Sequence, residues 1–237
     1  MNILIVGATG ATGSQLVKQL LFSGHHVTAI VRSKAKLEGL TGDLNLLEAS
    51  LLEMTDEELI QITKGCDVVA SCLGHNLTRK GLFGKPRRLV TDATRKLCEA
   101  IAQHKPEKPV KFILMNTTAN RNRDLDEKVS FGHRLIIGLL RLLLPPHVDN
   151  EQAADYLRVV IGQNNPYIEW AAVRPDGLVD EDAVSQYSVH PSPTRDPVFN
   201  AGTVSRINVA AFMAELATDE KLWKEWKGQM PVIYSEE

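Results

Sequence analysis

Residues 2–13 read NILIVGATGATG. A short run of branched apolar residues stopped by a glycine is the pattern of a strand buried on both faces, as in a parallel sheet. Leu16, Val17, Leu20 and Leu21 then fall at helical spacing over residues 14–22, and Ser23-Gly24 closes that helix. Strand, glycine turn and helix in that order constrain the chain more than any other segment. They specify a βα unit whose helix N-terminus presents bare backbone N–H groups and a positive dipole to an anion. In such a turn Gly7 permits the tight bend, Gly10 lets a pyrophosphate approach the backbone, and Gly13 packs helix against strand. Thr9 and Thr12 add hydroxyl donors.

The same alternation continues. Apolar runs at 26–31, 67–72, 110–115 and 168–173 predict strands, with a weaker one at 44–48. Helices are expected around 33–40, at 56–63 with Asp56 capping its start, at 89–103 and at 150–161. A βαβ series over roughly 170 residues requires crossover helices, so the fold class is α/β, a Rossmann-like doubly wound parallel sheet with ligands at the carboxyl ends of its strands. Beyond Arg174-Pro175 the pattern loosens around Pro191, Pro193 and Pro197, then resumes with a helix near 208–217 and a strand near 230–234. The expectation is a single domain over 1–237, in which a small C-terminal extension, about residues 176–237, closes the substrate side.

Composition narrows the partners. With 27 basic and 29 acidic side chains the net charge is -2, which gives no field for nucleic acid or an anionic membrane. The cysteines, Cys66, Cys72 and Cys98, form no CxxC pair, and no apolar run is long enough to span a bilayer; both point to a cytoplasmic chain. Cys66 and Cys72 would stand at opposite ends of one strand, roughly 20 Å apart at ~3.3 Å per residue, so no metal site is expected. At the end of the second strand, where an acid would bind the ribose hydroxyls of NAD, the chain has Val31-Arg32-Ser33-Lys34. Arg32 can pair with a 2′-phosphate, which favours NADP(H) over NAD(H).

With GATGATG go CDVVASCLG at the fourth strand, VKFILMNTT at the fifth, AADYLR in a helix, WAAVRPDGL at the sixth and SRINVAAFM near the end. On these the chain resembles, over nearly its whole length, the short-chain dehydrogenase/reductase superfamily, in its atypical NAD(P)H-binding branch with the NmrA-like regulators and the biliverdin/flavin reductases. The resemblance implies cofactor contacts at Gly7, Thr9, Gly10, Ala11, Thr12 and Gly13, at Arg32, at Leu73 and Gly74, and at Arg174 and Pro175. It places Thr117 where the family often has its active-site Ser or Thr. The family's Tyr-x-x-x-Lys pair is missing: alignment on AADYLR puts His147 and Glu151 in those positions, and Tyr156 has Val160 four residues on.

Two readings follow. One is an NADPH-dependent reductase of a planar acceptor such as a flavin or quinone, with Thr117 orienting the acceptor and His147 as candidate proton donor. The other is a non-catalytic NADP(H) sensor acting through a protein partner. The apolar segment 131–144 is either a substrate wall, a homodimer contact or a core helix, and the basic segment 79–88 either a lid, an anion clamp or a solvated loop.

Overall fold

The computed structural model describes residues 1–75, 78, 84–125, 127 and 131–236. Residues 79–83 of the basic segment 79–88 therefore lie outside the described residues, as do Phe131, His133 and Arg134 for their side chains.

Strands β1 (Asn2–Val6), β2 (His26–Val31), β3 (Leu44–Glu48), β4 (Val68–Ser71), β5 (Val110–Met115) and β6 (Ile168–Pro175) pair in parallel. With β8 (Tyr187–His190) and β10 (Val232–Ser235) they form one eight-stranded sheet in the order β3-β2-β1-β4-β5-β6-β10-β8. The order reverses at β1, which sends one crossover series to each side and opens the ligand crevice at the carboxyl edge between β1 and β4.

Both faces are covered, which is why the strands are apolar throughout rather than alternating. On one face Ile3, Ile5, Val27, Ala29 and Ile113 pack with α1 (Ala11–Phe22), α6 (Arg206–Thr218) and α7 (Glu220–Trp226). On the other, Leu4, Val6, Val69, Phe112 and Trp170 meet α2 (Asp56–Thr63), α3 (Leu89–His104) and α5 (Pro145–Asp155). Helix α4 (Phe131–Leu143) precedes α5, and one π-helical turn, Tyr156–Ile161, prolongs it.

The structure corrects four local expectations. Residues 33–40 form successive turns instead of a helix, anchored by buried Leu37. Helix α2 is capped by Thr55, not Asp56: the Thr55 hydroxyl accepts from the Glu58 amide and Glu58 returns to the Thr55 amide. The helix expected from residue 150 begins at Pro145, since proline suits a first turn that needs no N–H. The C-terminal part also holds more structure than its prolines indicate: β10 joins β6, β8 lies antiparallel to β10, and a separate parallel pair joins β7 (Gly177–Val179) to β9 (Thr203–Ser205). Among the described residues no helix is long and apolar enough to cross a membrane.

Candidate functional site

Gly7 takes a φ of +77°, open to glycine. A Cβ there would run into the Cys72 carbonyl and come within 2.7 Å of the Leu73 amide nitrogen, and one on Gly13 would collide with the Gly7 carbonyl. The glycines therefore let the β1 turn lie flat against the chain leaving β4. Gly10 is the N-cap of α1 and offers no side-chain hydrogen bond, and the first turn carries no acid. That helix end is open to an anion, and a dinucleotide diphosphate fits its chemistry. Ala11 and Gly10 are exposed, Thr9 half-buried and Thr12 buried.

Leu73 and Gly74 follow β4 beside this turn, Gly74 exposed. Cys72 packs against the core, and burial pushes its thiol up to about 12, so it stays a thiol. Arg32 directly follows β2 and is exposed. Lys36 reaches back over the turn with its Nζ 3.5 Å from the Thr9 carbonyl. The turns at 34–40 make that approach, and a helix there would have hidden it.

At the end of β5 the segment Asn116–Thr117–Thr118 is tightly cross-linked. The Asn116 side chain accepts from the Thr117 amide at 2.9 Å and donates to the Asn150 carbonyl on α5 at 3.0 Å. Asn120 donates to the same Asn116 oxygen. Half-buried Thr117 accepts from the Ala119 amide, 3.3 Å, so its hydroxyl proton is still there to donate. Thr118 donates to Asp176, whose other oxygen accepts from the Gly202 amide. Burial raises the Asp176 carboxyl against those bonds.

His147 is buried on α5, its Nε2 3.7 Å from a Glu151 oxygen and without a hydrogen-bond partner among the described residues. Burial holds the imidazole below its ordinary range, with the Glu151 charge opposing. Glu151 is itself engaged by Arg141 through two bonds of 2.8 and 2.7 Å. Tyr156 lies away from this edge near Cys98 and Glu99 on α3, and burial followed by those two groups pushes its phenol up to about 12. It is no substitute for the missing tyrosine.

Arg174 requires a correction. Its side chain is fully buried and all five guanidinium donors are spent inside the protein. They go to the carbonyls of Met230, Asn120 and Pro191 and, twice, to the carboxylate of Glu127 at 2.7 and 3.2 Å. No donor remains for a cofactor. Pro175 is buried too, its carbonyl taken by the Thr118 amide. Sequence reasoning missed the groups that build this edge: Asn116, Asn120, Glu127, Asp149 and Asp176. The signal was present as three asparagines within residues 116–122 and as Asp149-Asn150. Side chains that bond backbone locally collect where a strand end must be held without secondary structure.

The profile of the NAD(P)H-binding family matches residues 7–220. Among curated proteins the chain is similar to the uncharacterized protein YwnB of Bacillus subtilis (strain 168), 36% identical over 74 residues, which are 31% of this chain and 32% of that one. The chain thus aligns with about a third of the length of that relative. Among solved structures it superposes on the oxidoreductase ylbE of Lactococcus lactis with a TM-score of 0.71 at 19% identity, over 100% of this chain and 92% of that one. It also superposes on a Streptococcus pneumoniae TIGR4 protein described provisionally as an NADH-flavin reductase, with a TM-score of 0.67 at 18% identity and full coverage of both. At such identities the structural likeness establishes the fold; the family rests on the profile, together with the open glycine turn between β1 and α1. The chain belongs to the NAD(P)H-binding family.

Proposed function

We propose that the protein is an NADPH-dependent reductase delivering hydride to a small planar acceptor, a flavin or quinone-like ring. The observation that carries this reading is the surround of the glycine turn. Arg32 leaves β2 where an acid would select NAD, and Lys36 leans over Thr9, so two cations flank the place of a 2′-phosphate. Gly7, Thr9, Gly10, Ala11, Thr12 and Gly13 would hold the diphosphate, and Leu73 and Gly74 would border it. When bound, the dinucleotide supplies the hydride. Thr117, fixed by Asn116 and keeping its own proton, orients the acceptor.

The second reading, an NADP(H) sensor that signals to a regulatory protein, is favoured by one feature: His147 and Glu151 stand where the proton-relaying Tyr and Lys would be. Titration with NADPH and NADH, followed by turnover over a panel of flavins and quinones, separates the two. The reductase reading expects tighter NADPH than NADH and turnover with at least one ring. NADPH binding without turnover on any of them supports the sensor, and tighter NADH overturns the cofactor choice.

A further inference from the structure

Helix α4 (Phe131–Leu143) leaves its apolar face uncovered. At about 100° per residue, Leu142, Leu135, Leu139 and Leu143 fall within one arc of about 100°. All four are exposed, as is Gly138 at the margin of the arc. Ile137, on the opposite side, is buried, and the pairing of Arg141 with Glu151 fastens the helix to α5. Gly132 falls in the same arc one turn earlier. A Cβ there would stand 3.1 Å from the Phe199 ring, so this exposed aromatic continues the apolar face past the leucines.

The charge of this segment has one sign. From Phe131 to Val148 the sequence holds Arg134 and Arg141 and no acid. Seven residues apart, the two arginines occupy the same edge of the helix, beside the leucine arc. Past the joint at Leu144, the Asp149 carboxylate accepts from the Val90 and Thr91 amides and so ties the start of α3 to the start of α5. The chain entering α3 there carries Lys85, Arg87 and Arg88, all exposed, with Asp92 facing only Arg88, at 3.9 Å. Apolar arc, aromatic ring and flanking cations together are the make-up of a helix that lies in the head-group plane of a bilayer. A standard contact between two proteins takes about 20–30 residues a side, more than one helical face supplies, whereas a bilayer accepts a face of any size. The net charge of -2 sets the far field, but at contact only the charges within a Debye length, about 8 Å at physiological salt, are felt.

We propose that α4, together with Phe199, docks the protein on the surface of an anionic phospholipid bilayer. The leucine arc enters the boundary of the acyl chains, and the exposed cations before α3 are drawn to the head-group phosphates. Docking of this kind needs neither a dinucleotide nor turnover, so it stands apart from the reductase reading.

The test is co-sedimentation of the full chain with vesicles of phosphatidylcholine alone and of phosphatidylcholine mixed with phosphatidylglycerol. The mixed vesicles should bind the protein more tightly, and added salt should weaken that binding. Leu139→Asp combined with Leu143→Asp should lower the partition about 10-fold or more while the far-UV signal is kept. Lys85→Ala and Arg87→Ala should each lower it about fivefold, on the mixed vesicles only. An environment-sensitive dye on Leu142→Cys should shift to the blue with mixed vesicles, and the same dye on Phe22→Cys, exposed at the end of α1, should not. No binding to the mixed vesicles, binding that the two leucine changes leave intact, or equal dye shifts at both positions overturns the proposal. Equal binding to both kinds of vesicle overturns the anionic preference. A dimer in buffer that the leucine changes dissociate also overturns it, since a second copy would then cover the arc.

Discussion

At the scale of single residues, the sequence is most legible where a residue type is demanded by backbone geometry and least where a side chain chooses among partners. Gly7 and Gly13 could be placed from spacing alone, because only glycine permits their contacts. Arg174 could not, because nothing in RPDG says whether a guanidinium faces a ligand or the carbonyls and a carboxylate of its own chain. Its buried pairing with Glu127 predicts that Arg174→Met and Glu127→Gln each cost about 3–5 kcal/mol, and that the double change recovers much of it, as urea denaturation would read. A cofactor contact would instead weaken NADPH with little change in stability. Arg32 carries the opposite expectation. It is exposed, so Arg32→Ala should leave stability alone yet weaken NADPH about 10- to 150-fold, from a charge-assisted bond worth roughly 1.5–3 kcal/mol, with NADH almost unaffected. Equal loss for both cofactors in a fluorescence titration would remove Arg32 from the site.

At the scale of elements, strands were readable because burial on both faces leaves them no freedom of composition, whereas helix α4 was ambiguous. Its sequence, FGHRLIIGLLRLL, is apolar on nearly every side, and composition alone cannot tell a core helix from an uncovered one. The structure buries Ile137 but leaves Leu135, Leu139, Leu142 and Leu143 at 67%, 54%, 79% and 53% exposure. A core helix is thereby excluded for that stripe. Leu139→Asp and Leu143→Asp should accordingly keep the far-UV circular dichroism of the wild type and shift stability by no more than about 0.5 kcal/mol each. Unfolding by either would mean that the stripe is covered in solution. Helix α5 was placed five residues late, and with it the meaning of HVDNE was missed. The expected helix took in only Asn150 and Glu151 of that run, yet the run points the His147 side chain at Glu151, the Asp149 side chain at α3, and the Asn150 carbonyl at Asn116 just after β5.

At the scale of the whole molecule, the two edges of the sheet do different work. The carboxyl edge carries the glycine turn and Thr117; the amino end of β5 carries a purely structural knot. There Lys111 lies 5.4 Å over the Trp223 ring and 2.6 Å from Glu220, and Glu169 accepts from the Trp223 indole at 2.6 Å and from Lys227. Burial pushes the Glu169 carboxyl up, but the bonds from Lys227 and Trp223 outweigh it and hold it below its ordinary 4.5. A carboxylate depressed in the folded state contributes stability that is complete above its unfolded value and disappears as the pH falls through the folded one. The protein should therefore lose stability below about pH 4.5, and Glu169→Gln should flatten that limb, as thermal melts followed by tryptophan fluorescence between pH 3 and 6 would reveal. Melts of equal slope for both proteins would assign the acid limb to other carboxylates.

The acceptors of Arg174 are also spread along the order of synthesis. Asn120 and Glu127 precede it, whereas Pro191 and Met230 are made later. While the polypeptide is still growing, the guanidinium must wait in water, and the turns after β5 wait with it. A nascent chain from which Met230 has not yet emerged should remain open to protease through residues 116–125, and the emergence of Met230 should close that window in one step. The last-made of these acceptors thus decides when a much earlier part of the chain becomes native.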